Sequence, residues 1–288
     1  LWWIQTGLMN SSKCSRLHKI PRTQNGKRNS MSTVAVVLNG YRRTRWFEEQ
    51  LVAIENQTHK PSEILLWQNY HEEGHLDPEL ASRVTHASCN SNLGVWSRFA
   101  FALNCQSDYI CVFDDDTIPG SKWLENCVKT YESDDRIGVL GTVGISFGDK
   151  YYTWQKVKRI GWVEPNEETT QVDMGGHAWF FHRDMLSHFW RERPKQFIPI
   201  VGEDMHLSHM VQKYGGKGTF CPPHPANDKE MWGSLKGAEY GHSEEGISMT
   251  QYTLPNGQRV AGGYLMGIAL SDAVDNGYRL LSQGTEIN

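Results

Sequence analysis

Asp108-Tyr-Ile-Cys-Val-Phe-Asp-Asp-Asp-Thr-Ile-Pro119 runs from an apolar stretch straight into three adjacent carboxylates. Tyr109 to Phe113 are apolar or aromatic, two of them β-branched, and the run has the length of a buried strand rather than a helix. Pro119 keeps the strand from continuing. Asp114, Asp115 and Asp116 at the end of a buried strand repel one another on the kcal/mol scale, so a positive partner is expected there. A hard divalent cation, Mg2+ or Mn2+, suits oxygen ligands and often shares its coordination with substrate phosphates. The competing reading is a solvated acidic turn that caps the next helix.

The flanking sequence bears on that choice. Ser32-Thr-Val-Ala-Val-Val-Leu38 reads as a strand buried on both faces, ended by Asn39-Gly40-Tyr41-Arg42-Arg43. Phe47, Leu51 and Ile54 form the apolar stripe of a helix, and Glu63-Ile-Leu-Leu-Trp67 is a second strand ending in Gln68-Asn69. A weak strand near Arg83–Ala87 and a helix starting at Asn92-Leu-Gly-Val-Trp-Ser-Arg98 lead back to Tyr109. Strand and helix alternating over short connections make a doubly wound α/β half, which binds ligands outside the carboxyl ends of its strands. Asn39 to Arg42, Gln68 and Asn69, and Asp114 to Asp116 all fall at such ends. That convergence favours a ligand site over a solvated turn.

Further on, Trp123–Tyr131 reads as a helix, Ile137–Thr142 as a strand, and Tyr151 to Val163 as a hairpin carrying Trp154 and Trp162. Gly175-Gly176 marks a close backbone approach before the apolar strand that includes His177 and Trp179. Glu203 and Asp204 open a helix that Gly215-Gly216 ends, and a last helix is expected near Tyr264–Val274. Acids in a first turn also suit the helix dipole with no further role.

Composition sets bounds on function. A chain of 288 residues with 22% charged and 39% hydrophobic residues can bury a substantial core. Its net charge of -4 offers no general attraction to nucleic acid or membrane. Six cysteines without a CxxC pair argue against a zinc site or a disulfide scaffold. Residues 1–30 carry six Lys/Arg and no acid, and read as a basic leader, stem or remnant of cutting. Residues 31–288 are expected to form one domain, in two halves that meet at about residue 142. No apolar run reaches 18 residues, so the expected compartment is the cytoplasm, or the Golgi or another membrane if an N-terminal anchor was removed.

In their order and spacing, these features resemble the GT-A glycosyltransferases, especially the family-2-like inverting group. The resemblance rests on Val36-Val-Leu-Asn-Gly-Tyr-Arg42, Gln50 to Thr58 with Pro61-Ser-Glu-Ile-Leu-Leu66, and Asn92-x-Gly94-x-x-x-Arg98. It continues through Asp114-Asp-Asp116 as a DxD motif, Gly175-Gly176, and Glu203-Asp204 with Leu207-Ser208, covering about residues 31–216. The triplet is also similar to that of exostosin-like hexosaminyltransferases, which retain anomeric configuration. The resemblance implies an α/β fold with a mixed, mostly parallel sheet flanked by helices and a smaller acceptor-binding part. It implies transfer of a sugar from a nucleotide-diphospho-sugar, a UDP-sugar first, to a glycan or glycoconjugate hydroxyl with Mn2+ or Mg2+ as cofactor.

Site roles follow from the same resemblance. Asp116 is the expected metal ligand, Asp114 a metal or ribose contact and Asp115 a supporting nucleotide contact. Asn39, Arg42, Asn69, Asn92 and Arg98 would line the nucleotide pocket. His224 is the first choice for a third metal ligand and His242 the second. Asp204 is the expected general base, with Glu203 its neighbouring alternative. Gly175, Gly176, His177, Trp179 and Trp154, together with Trp162, would meet the acceptor. Two other classes compete: a sugar-phosphate nucleotidyltransferase, for which Leu38-Asn-Gly-Tyr-Arg-Arg43 is a poor phosphate loop, and a non-catalytic sugar-binding protein.

Overall fold

Val34 to Gly40, with its β-branched core, becomes the central strand β1 (Val34–Gly40), buried over almost its whole length. A computed structural model of the chain describes residues 31–241, 251–253 and 257–284, and all of these except Met31 belong to one unit, Ser32–Asn288. The leader 1–30 and His242 lie outside the described residues. After β1 come α1 (Phe47–Glu55), β2 (Glu63–Gln68), α2 (Pro78–Ser82), β3 (Thr85–Ser88), α3 (Ser97–Phe101) and β4 (Tyr109–Phe113). They are followed by α4 (Trp123–Ser133), β5 (Ile137–Phe147), β6 (Val157–Gly161), β7 (Thr170–Val172) and β8 (Met174–His182). The remainder is α5 (Met185–Phe189), α6 (Glu203–Met210), β9 (Gly218–Cys221), α7 (Gly237–Gly241), β10 (Gln251–Thr253), β11 (Arg259–Ala261) and α8 (Gly262–Asp275). Among the described residues no helix is long and apolar enough to cross a membrane.

The main sheet runs β3-β2-β1-β4-β8-β5-β9-β7, with β6 paired to β5. β3, β2, β1 and β4 are mutually parallel, while β8 enters antiparallel between β4 and β5. This is the mixed α/β sheet flanked by helices that the sequence implied. The chain leaves β1 toward β2 on one side and returns to β4 on the other, so the order reverses between β1 and β4. A crevice opens at such a reversal, outside the strands' carboxyl ends. Packing secures both faces: Leu38, Leu51, Cys111, Phe113, Trp123 and Phe180 cluster on one, and Val37, Phe99, Val112, Trp179 and Phe189 on the other.

Three elements differ from expectation. β5 runs to Phe147, beyond Thr142, because its far end pairs with both β6 and β8. The expected hairpin within Tyr151–Val163 does not form; β6 pairs back onto β5 instead. α3 starts at Ser97 and not at Asn92, because Gly94 takes a left-handed turn (φ 78°) and the Asn92 side chain accepts a hydrogen bond from its N–H at 2.9 Å.

Gly175 and Gly176 also have a structural use. A Cβ on Gly175 would lie 2.9 Å from Gly141 Cα, and one on Gly176 would lie 3.0 Å from Val143 Cγ1. The glycines let β8 approach β5 where its register shifts between Gly141 and Val143. We expect Gly175→Ala to cost about 1–3 kcal/mol through overpacking, read as a lower midpoint in urea unfolding. A variant as stable as the wild type would contradict this account.

Candidate active site

Strand register places the first site residues. β4 and β8 pair antiparallel with Phe113 opposite Ala178, so the next pair along is Asp114 and His177. The Asp114 N–H donates to the His177 carbonyl at 2.9 Å, and the Thr117 hydroxyl donates to the same oxygen at 3.2 Å. From α1, the buried Gln50 amide donates to the carbonyls of Asp114 (2.7 Å) and Thr117 (2.8 Å), holding the acidic turn in shape. Asp114, Asp116 and His177 then bring one ligand atom each within 4.8 Å of one another.

The positive partner expected for the triplet is supplied first by two buried arginines. Arg43, leaving β1 across the crevice, pairs with Asp115 and with Asp116 at 2.8 Å. Arg98, on α3 and 2% exposed, pairs with Asp114 and with Glu203 at 2.7 Å. Its guanidinium lies 4.6 Å from the centre of the buried Trp179 ring, which forms a floor beneath it. Burial alone would lower both guanidinium pKa values, yet the facing acids hold them above the ordinary arginine range. Five carboxylates (Asp114, Asp115, Asp116, Glu203 and Asp204) share these two arginines. The surplus is negative. Burial, opposed by Arg43 and reinforced by Asp116 and Asp114, pushes the Asp115 carboxyl up to about 6.

α6 delivers the other acids. Gly202 (φ 94°) supplies the left-handed residue that starts it, and a Cβ there would lie 2.9 Å from Ala269 Cβ. The loop before α6 is laced to the loop before α3: Val95 N–H donates to Pro199 O (3.0 Å) and the Trp96 indole to Ile198 O (2.8 Å). This lacing brings Glu203 to Arg98. Burial first, and then the Glu203 charge, hold the Asp204 carboxyl well above the usual carboxylate range.

Trp162 and His177 both have positive φ, 60° and 64°, in residues that rarely adopt it. Such conformations cost about 1–3 kcal/mol each and collect at functional sites. The two rings stack with centroids 4.8 Å apart and planes 8° from parallel, and His177 Nδ1 lies 3.6 Å from Asp114 Oδ2.

Several sequence assignments land elsewhere. Arg42 is half exposed and 4.0 Å from Glu73, and its neighbour Arg43 occupies the crevice instead. His224 is fully buried; Nδ1 donates to the Pro222 carbonyl (2.8 Å) and Nε2 accepts from the Gly233 N–H (3.4 Å). Burial lowers its pKa to about 4, so it is a neutral structural imidazole, and His177 stands where a third ligand was sought. Trp179 is buried with its indole N–H on Gly175 O (2.8 Å) and offers no open stacking surface. The Trp154 side chain lies outside the described residues. Asn69 uses its amide on Gly94 O (3.1 Å), Leu93 N–H (3.0 Å) and the Trp67 indole (3.1 Å), shaping the loop before α3. Asn92 is exposed and turns that loop. Asn39 Oδ1, Asp115 Oδ2 and Arg43 Nε are buried without a hydrogen-bond partner beside a small recess of about 10 Å³ that Asn39, Arg43, Gln50 and Asp115 help to line. Arg43 and Gln50 had no site role in the sequence reading, which offered His177 only as an acceptor contact.

A family model described as "Glycosyl transferase family 2" matches residues 41–190, just over half of the chain. No curated protein matches the sequence. Among solved structures, the chain is similar to a mannosyltransferase, PcManGT, from Pyrobaculum calidifontis in complex with GDP-Man and Mn2+. That match has a TM-score of 0.46 at 18% identity, over 68% of this chain and 56% of that one. It is also similar to S. aureus TarS, with a TM-score of 0.47 at 11% identity over 66% of this chain and 35% of that one.

Proposed function

Because this chain belongs to glycosyl transferase family 2, we propose that its crevice moves a sugar from a nucleotide-diphospho-sugar to an acceptor hydroxyl with inversion, and that Asp204 is the general base. The observation that carries this reading is the buried ionic chain Asp114–Arg98–Glu203, which ties the acidic turn at the carboxyl end of β4 to the helix turn bearing Asp204. Donor and acceptor ends of one reaction are thereby held in a fixed relation.

Two carboxylates and an imidazole make a donor set suited to a divalent ion such as Mn2+, and the uncompensated negative charge favours one. Asp114, Asp116 and His177 would hold it; His242 stays a further proposed ligand from the sequence. When bound, such an ion supplies Lewis-acid stabilisation to the departing diphosphate. Asp204 takes the proton from the attacking hydroxyl, and its raised pKa brings it closer to that task at neutral pH. Glu203, committed to Arg98, keeps that arginine and Asp114 in place and is not the base. Arg43 fixes Asp115 and Asp116 from the opposite side. The unpaired polar atoms of Asn39, Asp115 and Arg43 are suited to the nucleoside. The acceptor is proposed to be a glycan or glycoconjugate.

The test is nucleoside diphosphate release from a panel of UDP- and GDP-sugars with Mn2+, without and with acceptors, and NMR of the product anomer. Release should vanish with EDTA and fall at least about 100-fold in Asp116→Ala. A retained anomer would overturn inversion. Pyrophosphate release from a nucleoside triphosphate would point to a nucleotidyltransferase, and sugar binding without turnover to a non-catalytic protein.

A further inference from the structure

Beyond its ligands, the Asp114–Asp116–His177 group has a built support on the side of His177. Trp162 lies against the His177 ring in a parallel stack, and helix α7 lies against Trp162. A Cβ on Gly237 would come within 2.3 Å of Trp162 Nε1, and one on Gly241 within 3.2 Å of Trp162 Cζ2 and 3.9 Å of Asp116 Oδ2. A side chain at position 237 would collide with the indole, and one at 241 would press against it. α7 is itself anchored at both ends. The Leu235 N–H donates to Ile118 O at 2.7 Å, just past the acidic turn. Tyr240 stacks on Trp46 at 4.3 Å with planes 6° apart, and its hydroxyl donates to Glu49 at 2.6 Å. Trp162 is 9% exposed and, like His177, keeps a positive φ. A strained tryptophan wedged between an anchored helix and a strained histidine is a device for fixing the histidine's direction.

We infer that Trp162 is a positioning residue for the metal-binding group: held by Gly237 and Gly241 of α7, it directs the His177 imidazole toward Asp114 and so sets how tightly Asp114, Asp116 and His177 hold a divalent cation. The inference rests on the metal-dependent reading above and adds the residue that tunes the site from behind a ligand. Outer partners that orient a ligating imidazole change metal affinity when removed, while the ligands themselves stay in place.

The test is Mn2+ binding by the full chain, followed by the electron paramagnetic resonance of free Mn2+, with circular dichroism and the metal-free unfolding midpoint recorded beside it. Trp162→Ala should raise the Mn2+ Kd about 10–100-fold, whereas Trp162→Phe, which keeps a stacking ring, should stay within about threefold of wild type. Gly237→Ala, whose new methyl pushes on the indole without touching a ligand, should raise the Kd about threefold or more. It also serves if Trp162→Ala fails to fold. Wild-type Kd values in folded Trp162→Ala, or in Gly237→Ala, would overturn the role of Trp162 while leaving a metal site standing. A wild-type protein that binds no Mn2+ would overturn the metal-dependent reading and this inference with it.

Discussion

Asp204→Asn is expected to lower sugar transfer by about 10²–10⁴-fold, the usual contribution of a positioned base, while donor binding stays near wild type. Asparagine has the same shape and can still accept the Met205 N–H that Asp204 Oδ1 accepts at 2.7 Å, so the loss would be chemical. The substitution should also stabilise the protein at neutral pH. The Asp204 carboxyl is raised in the folded state, first by burial and then by Glu203. A carboxyl with a higher pKa folded than unfolded binds more protons in the native state between the two values. Stability is therefore lost as pH rises through that window. Asp204→Asn removes this cost: its unfolding midpoint should exceed wild type at pH 7–8, and the gap should close as pH falls toward the unfolded aspartate value of about 3.9. Wild-type transfer should rise with pH through the same raised pKa, because only the ionised carboxylate accepts a proton. Transfer at the wild-type rate in the variant would remove Asp204 from the mechanism.

Arg98→Met is expected to be the most damaging single change to stability. Arg98 is the buried cation between Asp114 and Glu203, and removing one partner of a buried pair costs about 3–5 kcal/mol because the charges left behind are uncompensated. Arg98→Lys should recover little, since one ammonium cannot span two carboxylates as a guanidinium fork does. The defect should depend on pH in a defined direction. Without Arg98, Glu203, already raised by burial, moves higher still, so the variant loses stability as pH rises and recovers part of it near pH 5, where the acids take up protons. Urea unfolding of wild type and variant at pH 5 and pH 8 measures this directly. A deficit no larger at pH 8 than at pH 5 would show that the two acids do not depend on Arg98.

Much of this was legible in residue order. The run Tyr109–Phe113 into Asp114-Asp115-Asp116 announced a buried strand and the acidic site at its end, and both are present. The run Val34–Leu38 and the stripe Phe47, Leu51, Ile54 likewise became β1 and α1. These features depend on neighbours a few residues apart, where backbone period and burial impose a pattern on the sequence itself. Gly175-Gly176 signalled a close backbone approach, and the tertiary structure shows β5 coming close at Gly141; a glycine pair carries no mark of what comes near it.

From the sequence alone came the α/β class, the strand-end carboxylates, the glycosyltransferase resemblance and the acids Glu203 and Asp204. Tertiary structure alone decided which charges meet. It chose Arg43 over Arg42 because only one of two successive side chains leaving β1 turns into the crevice. It chose His177 over His224 because the β4–β8 register sets His177 opposite Asp114, while the backbone around His224 occupies both its ring nitrogens. It joined Arg98 to Glu203 across about a hundred residues through the laced loops before α3 and α6. Such pairings are fixed by strand register and loop packing between distant segments, and no local pattern encodes them. The three carboxylates of the acidic turn were therefore readable one residue after another, but their pairing with Arg43 and Arg98 could be found only by folding the chain.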